Sequence, residues 1–188
     1  MEQELEIEYK VLLSEDKFKE LLNNLNFPSN PVTQINYYFE TPDLKLKQIN
    51  SALRIREKNS HYIVTLKEPH KKGILETHDK ISEDTFQQAI KNNILFAPNC
   101  SKQLQMQNIS LDTIKYIGSL TTERYEFKEN NLIYVLDKSF YNNKVDYELE
   151  IEAPSQEIGS HIFNQLISRF DIKKIPPITK IERFVNTL

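Results

Sequence analysis

The sequence predicts an α+β protein, mainly antiparallel β, in which about eight strands close into a barrel with flanking helices. Apolar and charged residues alternate with a period of two in several short stretches, which is typical of strands with one apolar face. Tight turns such as Asn59-Ser60 and Asn142-Asn143 join many of these stretches, so neighbouring strands should run antiparallel. No linker or low-complexity segment divides the 188 residues, and we expect a single domain over residues 1–188.

The elements follow from this alternation and from helical spacing of apolar residues. The first strand is the opening stretch, residues 2–13, and the other predicted strands are 32–40, 52–58, 61–68, 74–78, 119–128, 132–140 and 144–153. Helices are predicted where an apolar stripe follows a capping residue, at Ser14, Ser82, Ser155 and Thr179. Residues 97–118 predict one or two short helices, and Pro176 and Pro177 should break the chain.

Composition excludes several classes of protein. A net charge of −3 does not fit a general nucleic-acid binder, which would be clearly basic. Cys100 is the only cysteine, so no intrachain disulfide can form and a reducing compartment is expected. The acidic N-terminus has no signal-peptide pattern, and no apolar run approaches the ~20 residues of a membrane helix. We therefore expect a cytoplasmic protein, a monomer or a homodimer, with no membrane or nucleic-acid partner.

Glycine and histidine usage limits the chemistry. The three glycines lie far apart, so the sequence contains no glycine-rich phosphate-binding loop. Any phosphate must therefore be bound by side chains. The histidines show no ligand spacing, and we predict that all four are surface or loop residues: His61, His70, His78 and His161. For Cys100 we expect a structural role.

Charged residues occupy one face of several predicted strands, and the two signs are segregated. These faces carry Glu4, Glu6, Glu8 and Lys10; Arg54 and Arg56; Arg124 with Glu126; and Glu148, Glu150 and Glu152. One such face is normal for a half-exposed sheet. A row of like charges is different, because two of them ~4 Å apart cost on the order of 4 kcal/mol at an effective dielectric of 20. We therefore predict that these faces converge in the lumen of the barrel.

The two kinds of row suit a metal-bound chain of phosphates. Carboxylate oxygens are ligands that Mg²⁺ and Mn²⁺ prefer, and paired arginines grip phosphate oxygens in a bidentate way. A triphosphate carries about four negative charges, so several cations must surround it. A bound metal ion would polarise a phosphoryl oxygen and lower the pKa of a bound water, so no Ser, Cys or His nucleophile is required.

Several motifs occur in a characteristic order. They are EIEYK at 6–10, YYFETPD at 37–43, ALRIR at 52–56, TLK at 65–67, an arginine in TTERYEF, YVLDK at 134–138, DYELEIE at 146–152 and TKIER at 179–183. EIEYK matches the ExExK signature of the CYTH domain, and the whole series resembles that family, the triphosphate tunnel metalloenzymes. The family includes class IV adenylate cyclases and thiamine triphosphatases. The resemblance implies a closed antiparallel barrel with a charged lumen.

The resemblance also implies roles for individual residues. Metal ligands would be Glu6 and Glu8, with either Glu148 and Glu150 or Glu150 and Glu152 as a second pair. Triphosphate ligands would be Lys10, Arg54, Arg56, Lys67, Arg124 and Lys180, with Arg183 close by. Acidic lumen residues would be Glu76 and Asp137, and Glu4 would lie at the tunnel mouth. We predict that the catalytic carboxylates, which orient or deprotonate the attacking water, come from Glu148, Glu150, Glu152 and Asp137.

Four functions compete at this point. The first is metal-dependent hydrolysis of inorganic triphosphate, a nucleoside triphosphate or thiamine triphosphate. The second is adenylate cyclase, which uses the same grip but needs a base-recognition pocket that the sequence does not reveal. The third is a non-catalytic binder of polyphosphate or nucleotides, which loss of metal ligands would favour. The fourth, a lipocalin-like carrier, predicts an apolar lumen, and the charged rows argue against it.

Overall fold

The computed structural model describes residues 2–174 and 178–187, so the predicted breaks at Pro176 and Pro177 lie outside the described residues. The strands are β1 (Glu2–Glu6), β2 (Glu8–Leu13), β3 (Val32–Glu40), β4 (Ala52–Lys58), β5 (His61–His70), β6 (Gly73–Ile81), β7 (Lys115–Glu129), β8 (Leu132–Tyr141) and β9 (Lys144–Glu152). The helices are α1 (Glu15–Asn24), α2 (Lys45–Gln48), α3 (Glu83–Asn92), α4 (Pro98–Met106), α5 (Gln156–Arg169) and α6 (Lys180–Val185), with a 3-10 turn at Leu111–Thr113.

The chain forms two compact units, of which the first contains the chain up to Leu5 and Gln34–Leu120. Its strands are hydrogen-bonded in the order β1-β6-β5-β4-β3. The pairs β3–β4, β4–β5 and β5–β6 are antiparallel. One face of this sheet packs on α3 and α4, and its buried core includes Leu53, Ile55, Val64, Leu66, Phe86, Ala89 and Leu104.

The second unit contains Glu6–Thr33 and the chain from Thr121 onward. Its strands are hydrogen-bonded in the order β7-β8-β9-β2, and each of these pairs is antiparallel. One face packs on α1 and α5, and its core includes Val11, Phe18, Leu21, Leu136, Leu149, Ile151 and Phe163. In both units the apolar face of the alternating strands is thus covered by helices, as period-two patterning requires.

The helix starts agree with the predictions. Each predicted capping residue accepts a hydrogen bond from the backbone N–H three residues further on, at 3.2 to 3.3 Å: Ser14, Ser82, Ser155 and Thr179. These side chains satisfy backbone donors that have no partner within the helix. No helix in the described part of the chain is long and apolar enough to cross a membrane.

The α+β class with a mainly antiparallel sheet is confirmed, but the described residues form nine strands, where about eight were predicted. The predicted strand 2–13 is two strands, because β1 pairs with β6 and β2 pairs with β9. The change of partner falls at Ile7, whose carbonyl oxygen accepts a hydrogen bond from the N–H of Ala153 at 2.9 Å. Alternation continues unbroken through Ile7, so the sequence pattern carries no sign of this break. Closure into a barrel and the single domain stay predictions.

Two smaller differences concern the connections. The predicted loop after β3 contains α2, and the buried carboxylate of Glu40 accepts hydrogen bonds from the N–H groups of Leu46 and Lys47 at 3.0 and 2.9 Å. This carboxylate stabilises a helix too short to show a periodic pattern. Strand β7 begins at Lys115, earlier than the predicted start at 119, after α4 and the 3-10 turn have occupied the poorly patterned region.

Candidate active site

A cavity of about 290 Å³ lies on the polar face of the first unit. Its lining includes the predicted residues Glu4, Arg54, Arg56 and Glu76, and also Thr65, His78 and Lys80. We call this space the first-unit cavity. Because Leu53 and Ile55 are buried in the core, the alternating Arg54 and Arg56 side chains must lie on the opposite, cavity face of β4.

Strand pairing arranges the polar residues in rows across the sheet. Arg54 pairs with Thr65, which pairs with His78 on β6. One row further along, Arg56 pairs with Ile63, which pairs with Lys80. Side chains directly opposite each other on one face lie about 4.5–5.5 Å apart at Cβ, so Arg56 and Lys80 flank Ile63 in one row, and both line the cavity.

Arg54 has an unusual hydrogen-bonding state. Its Nε is buried and has no hydrogen-bond partner among the described residues, whereas the Nε of Arg56 donates to Oδ1 of Asn36 at 3.1 Å. A buried donor without a partner costs about 1–3 kcal/mol. An anion in the first-unit cavity would supply the missing acceptor, so Arg54 indicates an anion site.

Acidic side chains lie beside these cations. Lys67 forms an ion pair with Oε1 of Glu76, whose carboxylate is buried. The other oxygen of Glu76, Oε2, lies 3.4 Å from Nε2 of His78, and the same nitrogen lies 3.2 Å from Oε1 of Glu4. Both predicted acidic residues of this cavity, Glu4 and Glu76, therefore contact His78, and Glu76 also contacts Lys67.

The prediction that all four histidines are surface or loop residues is wrong for His78. This residue lies within β6, is half-buried and lines the first-unit cavity, while His61, His70 and His161 are exposed. The predicted strand 74–78 ends at this residue, whereas the observed strand continues to Ile81. Its spacing of two from Glu76 was the available signal, since residues i and i+2 of a strand share a face.

The second unit contains a buried ion-pair network around Asp137. Arg124 donates to both carboxylate oxygens of Asp137, from Nε at 2.8 Å and from Nη2 at 2.6 Å. Arg124 Nη2 also lies 2.9 Å from Oε2 of Glu150. Lys180 contacts Asp137 and lies 2.7 Å from Oε1 of Glu150 and 3.2 Å from Oε2 of Glu148. Two cations thus share three carboxylates.

Arg183 extends this network along the same face of β9. Its Nη2 donates to Oε2 of Glu148 at 2.7 Å, and its Nε donates to Oδ2 of Asp146 at 2.7 Å. The Tyr141 hydroxyl also donates to Asp146, and the burial of this phenol together with that carboxylate raises the pKa of Tyr141 to about 12. Asp146 was not predicted as a site residue, although it continues the alternating row that ends with Glu148.

The fold positions the network through strand register and one helix start. Asp137 on β8 pairs with Arg124 on one side and with Glu148 on the other. Glu150 pairs with Lys10 of β2, whose Nζ contacts Oε1 of Glu8 at 2.5 Å. Lys180 is the first residue of α6, directly after its cap Thr179. Long-range pairing therefore assembles the network, because its members are far apart in the chain.

The network changes the protonation equilibria of its carboxyl groups. Burial disfavours the charge of Asp137, but the neighbouring Arg124 and Lys180 outweigh this effect and lower its pKa. For Glu150, Lys180 and Arg124 likewise outweigh burial and hold its pKa well below the usual range. Burial raises the pKa of Glu152; Arg124 opposes this rise, and Glu150 adds to it. Glu150 and Glu152, two residues apart on β9, therefore have pKa values shifted in opposite directions.

These shifts predict how stability depends on pH. Unfolded Asp and Glu have pKa values of about 3.9 and 4.3, and the folded pKa values of Asp137 and Glu150 are lower. Their contribution to the free energy of unfolding should therefore be complete above about pH 5 and be lost as pH falls through the folded pKa values. Glu152, whose folded pKa is raised, should act in the opposite direction. Urea midpoints at several pH values measure this loss, and a midpoint that stays constant below pH 5 would contradict it.

The acidic set predicted to bind metal fits a hard divalent ion by its chemistry. Glu8 pairs with Glu152 across β2 and β9, and Glu148 and Glu150 lie on the same face. Oε1 of Glu148 is buried without a hydrogen-bond partner in the part of the chain that the structure describes, and a cation would satisfy it. Glu6 ends β1 and is half-buried. Both predicted second pairs share one face of β9 and stay predictions.

Another group of three residues brings its potential metal-ligand atoms close together. Among residues 2–174 and 178–187, the group of at least three His, Cys, Asp or Glu ligand atoms within 4.8 Å of one another is Glu4, Glu76 and His78. The oxygens of Glu148 and Glu150 instead contact Lys180, Arg124 and Arg183. Their carboxylates are thus paired with cations in this structure.

An antiparallel sheet with arginine and lysine side chains on its polar faces, next to buried carboxylates, defines a protein built to bind a highly charged ligand with side chains alone. The CYTH domain profile matches residues 4–185, and the chain belongs to the CYTH domain family. Membership in this family of metalloenzymes implies a divalent metal ion.

Individual relatives agree with this assignment. The chain is 40% identical over 185 residues to the "Putative triphosphatase YjbK" of Bacillus subtilis (strain 168), covering 98% of this chain and 96% of that protein. A crystal structure described as a "putative adenylate cyclase" from Bacillus halodurans is 37% identical, with a TM-score of 0.93 and coverage of 98% and 99%. The Hippeastrum protein HpAC1, described as having a dominant triphosphatase activity, is 22% identical with a TM-score of 0.80 over 97% and 96%, which shows the shared fold alone.

Proposed function

We propose that this protein hydrolyses a triphosphate with the help of a divalent metal ion, Mg²⁺ or Mn²⁺. The observation that carries the proposal is the first-unit cavity, in which the buried Nε of Arg54 has no described acceptor and Arg56 and Lys80 add positive charge. The 40% identity to a relative named as a triphosphatase supports the reaction type. The substrate class is inorganic triphosphate, a nucleoside triphosphate or thiamine triphosphate.

The chain's own cations would hold the phosphates. In the first unit we assign this role to Arg54, Arg56 and Lys67. In the second unit we assign it to Lys10, Arg124, Lys180 and Arg183. Arginine suits this task because its planar guanidinium presents several donors to phosphate oxygens at once. Asp137 holds Arg124 and Lys180 in place, which fixes where these cations present their charge.

The carboxylates would hold the metal ion and handle the water proton. Glu6 and Glu8, with Glu150 and either Glu148 or Glu152, are the proposed ligands. When bound, the ion offsets phosphate charge and lowers the pKa of a coordinated water. Where Glu148 and Glu150 are the second metal-binding pair, we propose Glu152 as the base that orients or deprotonates the attacking water, because burial raises its pKa.

Adenylate cyclase is the second candidate function. It is favoured by the 37% identity to the Bacillus halodurans protein described as a "putative adenylate cyclase". That reaction would use the same phosphate grip, with the ribose 3′-hydroxyl attacking the α-phosphorus in place of water. A non-catalytic binding protein would hold the phosphates with the same basic residues but would not turn the ligand over.

One experiment separates these functions. Purified protein is incubated with triphosphate, ATP and thiamine triphosphate, each with Mg²⁺ or Mn²⁺, and both phosphate release and cyclic AMP are measured. We expect phosphate release from at least one of these substrates, and EDTA should abolish this release. Formation of cyclic AMP from ATP would show that the protein is a cyclase and not a hydrolase. Tight binding with no turnover in the presence of either ion would reject both enzymatic functions.

We also propose that the protein acts in the cytoplasm, as a monomer or homodimer, on a small-molecule triphosphate or polyphosphate and without a nucleic-acid partner. A single cysteine and a net charge of −3 support these statements. Sedimentation of the purified protein, with and without added DNA, tests the assembly and the absence of nucleic-acid binding.

The substitution Arg54→Met should weaken triphosphate binding without lowering the stability of the ligand-free protein. Charge-assisted hydrogen bonds contribute about 1.5–3 kcal/mol, so we expect the KM for triphosphate to rise about 10- to 100-fold. The melting temperature of the ligand-free protein should not fall, because the substitution removes a buried donor that lacks a partner. Lys91→Met, on the exposed surface of α3, is the control. An unchanged KM together with a lower melting temperature would show that Arg54 serves the fold.

A further inference from the structure

We propose that Glu4, Glu76 and His78 form a binding site for a divalent first-row transition-metal ion such as Zn²⁺ or Co²⁺. This site lies in the first unit and shares no residue with the glutamates proposed above to hold Mg²⁺ or Mn²⁺. The difference is chemical as well as positional, because imidazole nitrogen suits Zn²⁺ and its neighbours, whereas Mg²⁺ prefers oxygen ligands.

The distances fit a metal site. Nε2 of His78 lies 3.2 Å from Oε1 of Glu4 and 3.4 Å from Oε2 of Glu76, and all three ligand atoms lie within 4.8 Å of one another. Ligands ~2.1 Å from a tetrahedral ion are ~3.4 Å apart. The three side chains therefore need only small shifts to coordinate one ion.

The imidazole of His78 is oriented by a neighbour. Thr65 pairs with His78 across β5 and β6, and its hydroxyl lies 3.1 Å from Nδ1 of the ring. A histidine that ligates a metal through one nitrogen usually has its other nitrogen hydrogen-bonded, which fixes the ring and its tautomer. Thr65 thus leaves Nε2 as the nitrogen that faces the two carboxylates.

The surroundings leave room for the ion and its remaining ligands. Lys67 contacts Oε1 of the buried Glu76, so Oε2 is the oxygen presented to His78. All three proposed ligands line the first-unit cavity, whose volume of about 290 Å³ accommodates water at the open coordination positions. Three protein ligands with a free position are the usual composition of an accessible zinc site.

A protonated His78 in an ion pair with both carboxylates would give similar distances without a metal ion, and Co²⁺ titration of the metal-free protein distinguishes the two. We expect wild-type protein to bind Co²⁺ with visible absorption bands that indicate a nitrogen ligand. His78→Gln should lose these bands and bind Co²⁺ at least about tenfold more weakly. The exposed His61→Gln is the matched control and should behave like wild type.

A second variant keeps the test valid if His78→Gln does not fold. Thr65→Val removes the hydroxyl next to Nδ1 and nearly preserves shape, and we expect Co²⁺ affinity to fall about 10- to 100-fold, as for other residues that orient a metal ligand. Equal affinity and equal spectra in wild type, His78→Gln and Thr65→Val would overturn the proposal. So would the absence of any Co²⁺ band in wild-type protein.

The titration uses the metal ion alone, so its outcome is independent of the proposed triphosphatase activity. Glu152→Gln, in the other acidic set, should reduce turnover but leave the His78-dependent Co²⁺ bands unchanged. Loss of turnover with retained Co²⁺ bands would therefore report on the proposed hydrolysis. Loss of the Co²⁺ bands alone would report on the site formed by Glu4, Glu76 and His78.

Discussion

Glu150→Gln is expected to lower metal-dependent triphosphate turnover at least about 100-fold while the protein remains folded. Glu150 is buried, and its two oxygens contact Lys180 at 2.7 Å and Arg124 at 2.9 Å. Glutamine keeps the shape of the side chain but removes the charge that a divalent ion requires. It also releases both cations from one partner, so their position toward phosphate should change. The measurement is kcat with saturating Mg²⁺ or Mn²⁺.

Glu123→Gln is the matched control for this variant. Glu123 lies on β7 and reaches Lys138 only at 4.0 Å, with both side chains partly exposed. Surface pairs of this kind contribute little to stability, so turnover and melting temperature should match wild type. If Glu150→Gln keeps full turnover and merely melts at a lower temperature, the metal-binding role of Glu150 is wrong and the residue serves the fold.

Asp137→Asn should be the most destabilising single change in the network, by about 3–5 kcal/mol in the free energy of unfolding. The Asp137 side chain has no exposed surface and contacts both Arg124 and Lys180. Removing its charge leaves two buried cations that share only Glu148 and Glu150. The cost follows from unpaired buried charge, since the lost volume is negligible. Urea unfolding at pH 7 measures it.

Asp43→Asn is the control for that measurement, because Asp43 is an exposed residue whose pair with Lys45 spans 3.5 Å. Its urea midpoint should stay close to that of wild type. A destabilisation by Asp137→Asn of less than about 1 kcal/mol would mean that water reaches the network in the native state, so that its burial contributes little to stability.

The two network variants also test different roles. Both remove one negative charge from the same group of cations, yet Glu150 is the predicted metal ligand and Asp137 is held between Arg124 and Lys180. We expect Glu150→Gln to affect kcat more than stability, and Asp137→Asn to affect stability more than Glu150→Gln does. Equal effects of both variants on both quantities would indicate that the network acts as one structural unit.

Local patterning was enough to predict much of this protein. Alternation along β4 separates Leu53 and Ile55, which are buried, from Arg54 and Arg56, which line the first-unit cavity. Capping residues such as Ser155 predicted helix starts, because a side-chain oxygen followed by an apolar stripe is a local signal. Motif order alone was sufficient to recognise the family. The residue types on each strand face therefore determined the fold class and the kind of ligand.

The sequence did not reveal how these faces are paired. The partner change at Ile7, the place of His78 beside Glu4, and the inclusion of Asp146 in the network all depend on contacts between distant segments. Alternation with a period of two predicts which face of the sheet a side chain occupies. The register between strands determines which side chain lies opposite it.

Sequence by itself thus determined that this protein carries charged strand faces suited to phosphate and metal. Only the tertiary structure decided which cation neutralises which carboxylate, as when Lys180 meets Asp137 across 43 positions of the chain. The reason is physical: a side chain's face is set by its own backbone, whereas its electrostatic partner is set by strand pairing that long-range packing selects.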